Sequence, residues 1–238
     1  MTTFVLVHGA MHGGWCWREV AKRLRADGHV VSTPTLTGQG ERAHLLTREI
    51  TVDTHIQDIV NVVEYEDLED LVLVFHSYSG GLAGPVVERL SHRVRAVVLA
   101  GAFYVNPGES NFDAQPGSSR DMFERSARER GDGWRIPFHD ELLVRWGIAD
   151  PVIVAELRRK LTDFSLVFSQ GIVEYDPSVI LRLPRTYIEH TNPGMEPLAL
   201  SRDRAEAAGW TMRQIDTGHD MMLTDPDETT RLLLQAIT

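Results

Sequence analysis

Residues 71–81 read LVLVFHSYSGG, and the fold turns on how that stretch is read. Leu71 to Phe75 are apolar at every position, after which the chain meets His76, Ser77, Tyr78 and Ser79 and then Gly80 and Gly81. An unbroken apolar run, in place of an alternating one, is the mark of a strand buried on both faces. A strand that hands a serine to a glycine-containing helix start is the arrangement of a nucleophile elbow. In such a turn the residues two before and two after the serine must be small. Two registers compete. With Ser77 in the turn the flanks are Phe75 and Ser79; with Ser79 they are Ser77 and Gly81, which satisfies the small-residue rule better. Strand length argues the other way, because Ser77 follows the end of the apolar run more closely. In the Ser77 register Phe75 must point away from the turn, into the core.

The rest of the chain supplies the sheet that such a strand needs. Residues 4–7 (FVLV) form a short apolar run ending at His8-Gly9, followed by a helical pattern from Trp17 to Ala26 closed by Gly28. Residues 29–33 read as a strand stopped by Pro34, and a helix is expected over about 54–66 with Asp53 as its cap. A helix over about 78–91 contains Pro85, where a kink or break is expected. Residues 94–99 read as the next strand. Apolar strands alternating with helices indicate an α/β fold, a mostly parallel sheet with helices on both faces. The rhythm fails over residues 106–180, which carry Phe112, Trp134, Phe138, Trp146, Phe164 and Phe168 among polar, glycine-rich and helix-like stretches. It returns with a strand at 185–190, a helix near 197–208, a strand at 211–215 and a last helix near 226–237. The expected organisation is therefore a core of residues 1–105 and 181–238 interrupted by a helical lid of residues 106–180.

Two further loops carry chemistry. TGHDMMLTDP places His219 after the last strand, behind the serine in chain order; histidine is the natural general base near pH 7. HGAMHGG, after the first strand, holds His8, Gly9, Ala10, Met11 and His12 where a backbone N–H of Ala10 (or Met11) can face an oxyanion together with that of Tyr78. Neither phosphate-binding glycine pattern is present, and no HExxH or cysteine pair suggests a metal, so neither metal nor cofactor is expected. The net charge of −10 and 24% charged residues argue against nucleic acid or an anionic membrane as partner. Cys16 is the sole cysteine, which excludes an intrachain disulfide. The N-terminus MTTFVLVHGA lacks the charged and long apolar segments of a signal peptide, and a cytoplasmic location is expected. A homodimer is left open.

Taken together, VLVHGAMHGGWCW, LTGQGERAHLL, VFHSYSGG, VVLAGAFYVNPGES and TGHDMMLTDP resemble the α/β-hydrolase superfamily. More narrowly they resemble its small-lid esterases related to plant methylesterases and hydroxynitrile lyases. The resemblance is specific over the first 110 residues and around His219, and loose in the insertion. The usual elbow of that branch, Gly-His-Ser-Tyr-(Gly/Ala/Ser)-Gly, aligns without a gap and selects Ser77, with Phe75 in place of the glycine. The resemblance implies an α/β-hydrolase fold with Ser77 as nucleophile and His219 as base, acting on a small, largely apolar or aromatic ester or thioester without a cofactor. Met11, His12 and Trp134 are expected around the substrate pocket.

The resemblance also exposes a gap. The branch places its acid after the strand that here reads RTYIEH, and Pro193 stands at that position; the alternative place, after VVLAG, offers Gly101. Asn192 and Glu189 are the candidates to orient His219, with Glu109 more remote. The lysine that follows the histidine in the lyase branch is Asp220 here, which weighs against cyanohydrin cleavage. Without an acid, a cofactor-free cyclase, lyase or dioxygenase using His219 alone, or a ligand-binding relative with no turnover, are the competing expectations.

Overall fold

The computed structural model describes residues 1–237. The core is built from β1 (Thr3–Val7), β2 (Val30–Ser32), β3 (Leu71–His76) and β4 (Val94–Ala100), joined through α1 (Arg18–Ala26), α2 (Val52–Tyr65) and α3 (Ala83–Arg89). The segment after β4 carries five helices, α4 (Gly117–Arg130), α5 (Glu141–Arg145), α6 (Pro151–Lys160), α7 (Leu166–Gln170) and α8 (Ser178–Leu181). Within it, β5 (Glu109–Ser110) pairs antiparallel with β8 (Ile172–Val173), and β6 (Arg135–Ile136) with β7 (Phe164–Ser165). The chain then completes the core with β9 (Arg185–His190), α9 (Ala199–Ala207), β10 (Thr211–Ile215), α10 (Met221–Thr224) and α11 (Pro226–Gln235).

Six strands form one sheet in the order β10-β9-β4-β3-β1-β2, and every pairing is parallel. Alternate residues of each strand feed opposite faces, as the two-residue period of a strand requires. Val5, Val7, Leu73 and Phe75 pack with Ile56, Ile59 and Val63 of α2 and Val86 and Val87 of α3. Phe4, Leu6, Val72 and Val74 pack on the other face with Trp17, Val20 and Leu24, and with Leu232 and Leu233 of α11. The chain runs from β1 outward to β2, then returns to the other side of β1 as β3. The helices that follow β1 and β3 therefore lie on opposite faces of the sheet, and a crevice at such a switch point is where open α/β sheets bind ligands.

Local chemistry explains two departures from the sequence reading. The helix expected from 54 starts at Val52, because Thr51 accepts the cap position and exchanges bonds with Thr54; Asp53 lies in the first turn and pairs with Arg89. Pro85 produces no kink. Residues Ser77–Leu82 form a tighter 3-10 turn and α3 begins only at Ala83, which places Pro85 in the first α-helical turn, where an N–H has no intrahelical acceptor to lose. No helix among the described residues is long and apolar enough to cross a membrane.

Phe75 is fully buried in the cluster under α2 and α3. Phe75→Ala is expected to cost about 3–5 kcal/mol of unfolding free energy, read as a lowered urea midpoint at unchanged slope. A loss under 1 kcal/mol would contradict its assignment as a core anchor.

Candidate active site

At the end of β3 the backbone of Ser77 takes φ +53°, the left-handed region that side chains other than glycine rarely occupy. Such a residue persists only where its surroundings over-determine it. Three contacts do so here. A Cβ on Gly9 would lie 2.8 Å from both His76 Nδ1 and the Ser77 Cβ, so only glycine lets the β1 loop press against the turn. Ser79 Oγ accepts the His76 N–H at 3.0 Å and lies 2.9 Å from the His76 carbonyl. The Ser77 carbonyl accepts the Phe103 N–H at 3.1 Å. Ser79 is thus fully buried and spent on holding the turn, while Ser77 Oγ lies 2.9 Å from Nε2 of His219.

His219 is positioned through its main chain. Its N–H donates to the Trp146 carbonyl at 2.8 Å, and its carbonyl accepts from His76 Nε2 at 3.0 Å. Burial, reinforced by the neighbouring imidazoles of His76, His190 and His12, holds its pKa well below 6.5, so the ring is neutral and able to accept a proton near pH 7. Its inner nitrogen, Nδ1, is buried and has no hydrogen-bond partner.

Neither candidate for orienting that nitrogen is joined to it by a hydrogen bond. Glu189 is engaged by Arg202 at 3.2 Å and by Gln214 at 3.0 Å. Asn192 is exposed, with its main-chain N–H on the Thr217 carbonyl. Glu109 forms a two-pronged pair with Arg204. Two imidazoles stand beside His219: that of His76, with centroids 4.7 Å apart, and that of His190, the last residue of β9, at 4.9 Å. His190 is buried, its pKa is lowered to about 4 chiefly by that burial, and neither ring nitrogen has a partner.

Of the two loop amides weighed for the oxyanion, that of Met11 is occupied: it donates to Gln39 Oε1 at 2.8 Å. Ala10 and Tyr78 both line the cavity that holds Ser77 and His219. The Tyr78 hydroxyl is anchored on His55 Nδ1 at 3.0 Å, and His55 Nε2 in turn faces the Thr37 carbonyl at 2.8 Å.

Met11 is on the wall of this cavity, with Phe103, Phe123, Ile136, Trp146 and Phe164 supplying apolar surface and Asn111, Gln115 and Arg145 supplying polar groups. Two pocket expectations need correction. Trp134 is not among the lining residues; it sits in a separate depression with the guanidinium groups of Arg48 and Arg135 about its ring at 5.5 and 5.7 Å. His12 is 1% exposed and turned inward, with Nε2 3.1 Å from Asp220 Oδ2. The aromatic that meets the base is Trp146, whose ring lies 6.2 Å from that of His219. Trp146 was visible in the sequence only as one aromatic among several, since its contact with His219 spans more than seventy residues.

His76, His219 and Asp220 bring donor atoms within 4.8 Å of one another. The Nε2 atoms of His76 and His219 are already committed to the His219 carbonyl and to Ser77, so the group reads as a hydrogen-bonded cluster rather than a cation site. Asp220 is the residue that sequence reasoning used only to argue against lyase chemistry, and it is fully buried.

Residues 4–232 match the model of the Alpha/beta hydrolase family. The carbendazim hydrolyzing esterase of Nocardioides sp. (strain SG-4G) is 34% identical over 241 residues, which cover 96% of each chain. Methylesterase 10 of Arabidopsis thaliana is 34% identical over 101 residues, 42% of this chain and 37% of that protein. Among solved structures, an extracellular alpha/beta-hydrolase from a Paenibacillus species superposes with a TM-score of 0.87 over 99% of both chains at 21% identity, a likeness of fold.

Buried neutral histidines make the fold acid-sensitive. His8 is lowered to about 3, and His55, His76 and His190 to about 4, in each case chiefly by burial. The unfolded chain binds these protons near pH 6.5 and the folded chain does not. Stability is therefore complete above about pH 6.5 and is lost as pH falls toward 4. Thermal melts between pH 7.5 and 5 should show a falling midpoint below pH 6.5; a flat midpoint to pH 5 would contradict these neutral states.

Proposed function

This chain belongs to the alpha/beta hydrolase family, and on that footing we propose that it is a serine carboxylesterase whose nucleophile is Ser77 and whose base is His219. The observation that carries the reading is the 2.9 Å approach of Ser77 Oγ to His219 Nε2, at a left-handed turn facing a largely apolar cavity. In the mechanism, Ser77 Oγ attacks the ester carbonyl while Nε2 takes its proton. The N–H groups of Ala10 and Tyr78 receive the oxyanion; Tyr78 is in the first turn of the 3-10 segment, where amides have no intrahelical acceptor. His219 returns the proton to the leaving alcohol or thiol. Water then attacks the acyl-enzyme by the same route in reverse.

The substrate class follows from the cavity. Its aromatic wall suits a small ester or thioester with an apolar or aromatic body, and Asn111, Gln115 and Arg145 can bind one polar substituent. The named relatives, an esterase and a methylesterase, point the same way. Residues 106–180 act as a lid in this reading, which is supported by Phe123, Ile136, Trp146 and Phe164 of that segment lining the same cavity as Ser77. A second reading, proton abstraction by His219 with no acylation of Ser77, draws on the unpartnered Nδ1.

A fluorophosphonate probe separates the two. The wild-type chain should label at Ser77, and Ser77→Ala should abolish the label and lower kcat at least about 10³-fold. Ser79→Ala should lose about 1–3 kcal/mol of stability, by stranding the His76 N–H, yet still label. An unlabelled wild-type chain with intact turnover would favour the second reading. Because the pKa of His219 lies well below 6.5, its base form persists as pH falls through that value. The kcat/KM profile should accordingly stay level through pH 6.5 and decline only below it.

A further inference from the structure

The base has no acid at its inner nitrogen, yet one buried carboxylate stands next to it in the chain. Asp220 is 0% exposed. Its Oδ2 lies 3.1 Å from His12 Nε2, its Oδ1 lies 4.0 Å from His76 Nε2, and Oδ1 has no hydrogen-bond partner. No arginine or lysine pairs with it among the described residues. One carboxylate oxygen, one ring nitrogen of His76 and one of His219 lie within 4.8 Å of one another.

His12 reveals where the balancing charge sits. Its Nδ1 is 2.8 Å from the Ala10 carbonyl and its Nε2 is 3.1 Å from the Asp220 carboxylate. Both partners are acceptors, so both ring nitrogens must donate, which only the imidazolium can do. The other buried histidines with assigned partners differ. His8 and His55 each face one carbonyl and one donor, and His76 faces a single carbonyl, which suits neutral rings. The site therefore contains one buried ion pair, His12 and Asp220, lying between the loop that carries Ala10 and the loop that carries His219.

We propose that this pair takes the place of the missing acid: Asp220 is the counter-charge for the His219 imidazolium, and His12 holds Asp220 ionised and in place. The inference rests on the hydrolase reading of Ser77 and His219. In the acylation step the Oγ–H bond breaks, its proton goes to His219 Nε2, Oγ bonds to the carbonyl carbon and the carbonyl π pair moves to oxygen. No proton passes to Asp220. The carboxylate acts through space on the cation formed beside it, as a positioning residue would act through the base. Two unit charges about 5 Å apart at an effective dielectric of about 20 change an equilibrium by about two powers of ten.

The groups whose charge acts on Asp220 are His12 from the loop after β1, His76 from the end of β3 and His190 from the end of β9, and its own charge acts on the Cys16 thiol; His219, next to it in the chain, brings a ring nitrogen within 4.8 Å. Lys160 lies one layer out, over the ring of Trp15, which stacks on His12. Burial opposes the charge of both members of the pair, but their mutual attraction overrides it: His12 is held above 6.5 and Asp220 below 3.8.

The test compares Asp220→Asn, Asp220→Glu and His12→Gln by fluorophosphonate labelling of Ser77 and by the pH profile of kcat/KM on a p-nitrophenyl ester. Asp220→Asn should slow labelling and lower kcat about 100-fold with KM within about twofold, and Asp220→Glu should recover part of the loss. In Asp220→Asn the acid limb should move down, because the imidazolium has lost its counter-charge; a role limited to packing would not move that limb. His12→Gln removes the cation that keeps the carboxylate ionised, so it should slow labelling as Asp220→Asn does, and the double variant should lose no more than either single one. Wild-type labelling rates in Asp220→Asn, an acid limb that stays in place there, or additive losses in the double variant would overturn the proposal. Should Asp220→Asn fail to fold, His12→Gln decides: slowed labelling supports the proposal and a wild-type rate overturns it. Absence of label on Ser77 in the wild-type chain would instead overturn the underlying hydrolase reading.

Discussion

The turn at Ser77 is the constraint on which the rest of the site depends. A side chain held at φ +53° costs on the order of 1–3 kcal/mol, and the cost is met by packing that would be lost if the turn relaxed. Register supplies that packing: β1 and β3 are adjacent and parallel, with Val7 opposite Phe75, so the loops beyond them meet at Gly9 and Ser77. Gly9 has no side chain to keep them apart, and Ser79 closes the turn from below with its hydroxyl near the carbonyls of Val7 and His76. The strain aims one hydroxyl out of the sheet, at the point where the β10 loop brings His219.

The segment between β4 and β9 is bonded to both loops that flank that point. The Met11 carbonyl accepts the Thr162 N–H at 3.0 Å, Gln39 links the Met11 N–H to the Asp163 carbonyl, and the His219 N–H rests on the Trp146 carbonyl. The loop after β1 and the loop that carries His219 are both tied to the same segment. A Cβ on Gly218 would lie 2.5 Å from the Trp146 carbonyl, which leaves no room to vary the second tie. Opening the whole segment would loosen both loops together.

What could be read from the sequence was what short-range pattern encodes. Apolar runs at 71–75 and 94–99 betray strands covered on both faces, and the strands at 185–190 and 211–215 fall where expected because each is bounded by turn residues. The choice of Ser77 over Ser79 followed from strand length and resemblance. Its physical basis is a hydrogen bond from the His76 amide to Ser79, which no pattern announces. The pocket was less legible. Trp134 and Trp146 are equivalent as aromatic residues in an irregular stretch, and only tertiary placement turns one toward His219 and the other toward two arginines. His12 has the same limitation: a histidine in a glycine-rich loop looks like a pocket residue until its partner, 208 positions away, is known.

The absent acid looked like two independent losses, proline at one customary place and glycine at the other. The structure joins them. Gly101 has φ +52°, and a Cβ there would lie 2.9 Å from His190 Nδ1, so the imidazole at the end of β9 and the bare backbone at the end of β4 occupy one space. A carboxylate side chain at 101 would collide with His190. Glu189, beside it in the chain, is drawn off to Arg202 because successive strand residues face opposite sides of the sheet. With a neutral ring beside His219 and no carboxylate on its inner nitrogen, the negative charge brought within 4.8 Å of its ring is that of Asp220. That arrangement requires a cation to keep a fully buried carboxylate ionised, and the β1 loop provides it in His12.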